Sequence, residues 1–81
     1  MKARTRRKSP FDFWIADQLV ECYVRWREEK CAVRIAYQRW ADSDRGEGRL
    51  CYAGYLAALD REEKAASVYA EQVDAVRVML R

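Results

Sequence analysis

The chain has no histidine, one proline and three glycines in 81 residues. Each scarcity excludes something. Without histidine there is no Ser–His or Cys–His pair, and nucleophilic catalysis needs a base beside the nucleophile. Gly46 and Gly48 lack the remaining spacing and the Lys-Ser/Thr of a phosphate-binding loop. No apolar run approaches the roughly 18 residues a membrane span requires, and no apolar signal-peptide core opens the sequence. The three cysteines, Cys22, Cys31 and Cys51, are an odd number without zinc-ligand spacing. Cys22 and Cys31 lie nine positions apart, which on one helix points them to opposite faces. Three reduced thiols and a soluble cytoplasmic protein are the expectation.

What is abundant is apolar and aromatic: 51% hydrophobic residues, with three Trp and five Tyr. That is too apolar for a disordered chain, and 81 residues make one domain at most. The net charge of +3 is unevenly spread. Lys2, Arg4, Arg6, Arg7 and Lys8 hold five of the 16 basic residues, so residues 9–81 set 11 basic against 13 acidic groups. The body is mildly acidic and the basic character lies in the first eight residues. These are read as a flexible tail, able to make non-specific, salt-sensitive contact with nucleic acid or an acidic partner. A specific nucleic-acid binder spreads its basic face over the fold instead.

Two apolar series at alternating four- and three-residue steps organise the rest. The first is Ile15, Leu19, Cys22, Trp26, Glu29, Val33, Ala36, Trp40; the second is Tyr55, Leu59, Glu62, Ala66, Tyr69, Val73, Val76, Leu80. Such spacing marks a helical seam. Between them, residues 41–48 (ADSDRGEG) form the one breaker cluster. The expectation is an all-α antiparallel two-helix hairpin. The first helix spans about 10–42, the turn about 43–48 and the second helix about 48–80. Ser9 is placed as a cap, Pro10 at the first helical position and Asp12 in the first turn. Asp44 and Glu47 are spaced for a capping box. Folded back, residues whose numbers sum to about 91 face each other: Trp40 beside Cys51, Ala36 beside Tyr55, Cys22 beside Tyr69, Glu29 beside Glu62. Gly54 and Ala58 are expected to let the opposite helix approach closely.

The first helix carries a second apolar stripe of Phe13, Val20, Val24, Cys31 and Ile35, nearly opposite the seam. A hairpin helix needs only one apolar face. The stripe is therefore the expected partner interface, and two hairpins joined through it make a homodimeric four-helix bundle. Each seam is broken once by a glutamate. Two carboxylates in one layer require a cation (Lys30, Lys64, Arg25 or Arg61), a retained proton, or a bridging metal.

Asp60-Arg61-Glu62-Glu63-Lys64-Ala65-Ala66, with Glu28-Glu29 on the first helix, resembles the metal-binding helices of two-helix encapsulated ferritins in the ferritin-like superfamily. That resemblance implies a four-helix architecture and makes Glu29, Glu62 and Glu63 metal candidates. It departs at the Glu-x-x-His ligand pair, which falls on Glu63 and Ala66, and carboxylates alone favour hard cations over iron chemistry. The strings Ala36–Asp42, Tyr52–Glu63 and Tyr69-Ala70 resemble small uncharacterised actinobacterial helical proteins, a likeness that implies no activity. The reading is a non-enzymatic interaction module without a cofactor. The alternatives are a carboxylate metal-binding bundle and a nucleic-acid-associated protein acting through its tail.

Overall fold

The computed structural model describes residues 10–80, with side chains from residue 14 onward. The calls on Ser9 and on the basic residues Lys2, Arg4, Arg6, Arg7 and Lys8 fall outside these residues, as do the side chains of Asp12 and Phe13. Two helices form an antiparallel hairpin, α1 (Pro10–Ala41) and α2 (Gly48–Met79), and no strand occurs among the described residues. Each helix has 32 residues, about 48 Å at 1.5 Å per residue. Proline at the first helical position of α1 loses nothing, since its missing N–H has no intrahelical partner there.

The turn is built by side chains of the breaker cluster. Ser43 Oγ donates to the Trp40 carbonyl at 2.7 Å, and the Ser43 N–H reaches the same oxygen at 3.1 Å. One otherwise orphaned carbonyl of the last turn of α1 is thereby satisfied. Asp44 accepts the Glu47 N–H through its Oδ1 and through its backbone carbonyl, both at 3.2 Å. Only half of the expected capping box forms. Glu47 is itself the N-cap of α2, and its side chain makes no capping bond. No residue among those described has a positive φ, so the chain reverses without any left-handed glycine.

The interior is a single seam. Ile15, Leu19, Cys22, Trp26, Glu29, Val33, Ala36 and Trp40 are all half-buried, as are Tyr55, Leu59, Glu62, Ala66, Tyr69, Val73 and Val76. Leu80, past the end of α2, is 80% exposed. Ala58 alone among the described residues is fully buried. Together with Ala32 and Ala65, both half-buried, it immediately precedes a seam position, so small side chains line one side of the seam. The same role expected of Gly54 does not hold. A Cβ built there meets nothing within 4 Å, so the hairpin itself has no steric need for glycine.

Aromatic rings fill the seam in two clusters. Trp26 stacks on Tyr69 with ring centres 5.4 Å apart, and Tyr23 lies 5.5 Å from Tyr69. Nearer the turn, Trp40 stacks on Tyr55 at 5.6 Å and tilts against Tyr52 at 4.7 Å, while Tyr37 meets Tyr55 edge-on. The rings of Tyr69, Tyr55 and Trp40 thus reach past Cys22, Ala36 and Cys51, the neighbours expected for them. Helical side chains lean toward their own N-terminus. In an antiparallel pair, long side chains therefore meet a residue or two beyond the backbone register. Both stacked pairs, 26 with 69 and 40 with 55, follow this displaced register.

Candidate functional site

Glu29 and Glu62 were expected in one layer, and each is engaged by its own donor. Trp26 Nε1 donates to Glu62 Oε2 at 2.8 Å, in a partly buried position. Arg61 Nε donates to Glu29 Oε1 at 3.4 Å, with the Arg61 side chain 55% and the Glu29 side chain 21% exposed. Arg61 is one of the four cations expected to reach in. Trp26 is a donor that seam spacing alone did not single out. The signal was present: an indole N–H only donates, and a buried tryptophan normally finds it a partner.

Trp26 is the centre of this layer. One face of its ring packs on Tyr69, its N–H holds Glu62, and Lys30 Nζ lies 4.8 Å from the ring centre. A cation over an indole ring is attracted by its quadrupole. Beside it, Arg27 Nη1 donates to the Tyr23 hydroxyl at 2.9 Å. These contacts pack the layer and engage both carboxylates with donors. A metal at Glu29 and Glu62 has to displace an indole N–H and a guanidinium. Glu63 is exposed, and half-buried Ala66 supplies no ligand. Among the described residues no group of three or more His, Cys, Asp or Glu is placed to hold a metal ion.

The α1 stripe is open. Val20 is 59%, Val24 46% and Ile35 55% exposed, and Cys31 is exposed as well. Helix α2 does not cover it. Cys22 and Cys51 are half-buried, and all three cysteines are free thiols. On α2, Leu50, Leu56, Val68 and Val78 also stand exposed. No helix among the described residues is long and apolar enough to cross a membrane.

Three shallow grooves run in line along one face of the hairpin. The groove at the turn is lined by Asp42 and Glu47 with Arg39. The middle one is apolar, formed by Ala32, Ile35, Leu50, Gly54 and Ala57, with Arg39 and Arg61 at its ends. The far one holds Arg25, Arg61 and Lys64 against Glu21 and Glu29, with Val68 beside them. The flanks thus carry opposite net charge across an apolar centre.

Comparison of the chain with protein-family models, curated proteins and solved structures finds no match.

Proposed function

We propose that this chain is a non-enzymatic helical interaction module that self-associates, two hairpins joining as a four-helix bundle through apolar surface left outside the seam. The observation that carries this is an imbalance of burial. Among the described residues Ala58 alone is fully buried, while Val20, Val24, Ile35, Leu50, Leu56 and Val68 remain at least 46% exposed. Two helices bury one stripe each, and a second apolar stripe on either is stable in water only when something covers it. Covering five such side chains at about 25 cal/mol per Å² gives several kcal/mol before the cost of association. The free thiols fit a reducing, cytoplasmic setting. Light scattering at tens of micromolar tests the reading. A mass of two chains is expected, and Val24→Glu with Ile35→Glu is expected to abolish it by burying unpaired charge. A one-chain mass for the unmodified protein overturns it.

A further inference from the structure

Helix α2 carries a second series at the spacing of its seam. Glu47, Leu50, Gly54, Ala57, Arg61, Lys64 and Val68 follow one another at steps of three and four. Counted at 100° per residue, this series lies about 140° round α2 from Tyr55, Leu59 and Glu62, along the flank where it lines grooves with α1. Leu50 is 77% and Val68 47% exposed, and a Cβ on Gly54 meets only open space. A mid-helix glycine costs about 1 kcal/mol relative to alanine, and nothing inside the hairpin requires it.

We infer that this series is the contact between two copies of the chain: α2 of one hairpin packs antiparallel on α2 of a second, with the two-fold axis between Gly54 and Ala57. This rests on the self-association proposed above and names its seam. In that register Gly54 lies against the second copy's Ala57, so the backbones approach closely. Leu50 meets the stem of the second copy's Arg61, an amphipathic side chain suited to covering an apolar neighbour. Glu47 and Lys64 lie at equal distances on either side of the axis, so each Glu47 faces the second copy's Lys64. More broadly, the axis turns the acidic groove of one chain onto the basic groove of the other.

Registers slid toward the C-terminus of α2 bring like charges together. Sliding one copy by seven residues lays Glu47 on the second copy's Glu71. Sliding by fourteen lays Arg61 on the second copy's Lys64. From residue 47 to 64 the contact runs about 26 Å along a helix about 10 Å across, roughly 260 Å² per chain from α2 alone. Reaching the roughly 1,000 Å² of a specific interface takes the adjoining flank of α1 as well. Ile35 of α1 lines the same groove and falls inside the contact, whereas Val24 lies outside the groove.

The test is sedimentation equilibrium of the full chain and its variants, with circular dichroism as the folding control. Gly54→Leu is expected to raise the dimer dissociation constant by about 100-fold or more while helix content is unchanged, because the added side chain has room within one hairpin and none between two. Lys64→Glu or Glu47→Lys alone is expected to raise it by about tenfold, and the two together to restore it to within about threefold. Val24→Glu is expected to leave it unchanged. A dimer that withstands Gly54→Leu but dissociates with Val24→Glu overturns this inference and leaves the self-association reading standing on the α1 stripe. A dimer weakened by Gly54→Leu but not restored by the charge exchange overturns the register. An unmodified chain that is monomeric overturns both.

Discussion

Helix α2 presents two series at the same spacing that differ in burial and in side-chain size. The inner one, Tyr55, Leu59, Glu62, Ala66, Tyr69 and Val73, is half-buried against α1 and is rich in large rings. The outer one, Leu50, Gly54, Ala57, Arg61, Lys64 and Val68, is exposed, small at its centre and charged beyond it. Spacing alone marks both as seams; side-chain size and charge separate their roles. Large aromatics supply buried area where a tethered partner is always present. Small residues flanked by opposite charges suit a partner that arrives from solution, where close approach and complementary sign set register and selectivity.

The contrast is broken most strongly from the inside. Trp26→Ala is expected to cost about 2–4 kcal/mol, because the stack on Tyr69 and the bond to Glu62 go together. At about 4–8 °C per kcal/mol the melting temperature should fall by about 8–30 °C, checked by circular dichroism. An unchanged melt would show that the Trp26 layer is not a structural centre. Glu62→Leu comes next: it strands the indole N–H and is expected to destabilise by about 1 kcal/mol, while Glu62→Gln keeps an acceptor and recovers most of the loss. Chemical denaturation of the three proteins decides this, and a more stable Glu62→Leu would mean that the carboxylate is a repulsive group after all.

Smaller effects sharpen the outer series. Gly54→Ala is expected to stabilise the isolated hairpin by up to about 1 kcal/mol, read from melts at low concentration, since its Cβ points into open space. The same substitution is expected to weaken association, so stability and affinity move in opposite directions. Arg61→Ala is expected to change hairpin stability by less than about 0.5 kcal/mol. Its pair with Glu29 is more than half exposed on the arginine side and is screened by water and salt.

Much of the architecture was legible. The alternating series named the residues that α1 and α2 turn toward each other, and a single breaker cluster located the turn. What spacing did not show was which polar groups meet inside the seam. Glu29 and Glu62 read as a facing pair because register was counted from Cα positions. The structure instead gives Glu62 the indole of Trp26 and Glu29 the guanidinium of Arg61. Glu62→Leu therefore removes a hydrogen-bond acceptor from the indole rather than only a charge from the layer. Gly54 and Ala58 were both read as devices for packing α1 on α2, and of the two only Ala58 is buried there. A small residue announces close approach but not to what, and only the space around it tells an internal neighbour from an external one. The exposure of Val20, Val24 and Ile35 was legible for the opposite reason. A helix with two apolar faces in a two-helix chain has one more face than the chain can cover.

The central claim is that the hairpin is half of an assembly. Sedimentation equilibrium of the unmodified chain from about 1 to 100 µM, a range that brackets weak and moderate self-association, tests it most directly. The expected result is a weight-average mass rising with concentration toward twice the 9.6 kDa chain mass. A mass of 9.6 kDa across the whole range contradicts it.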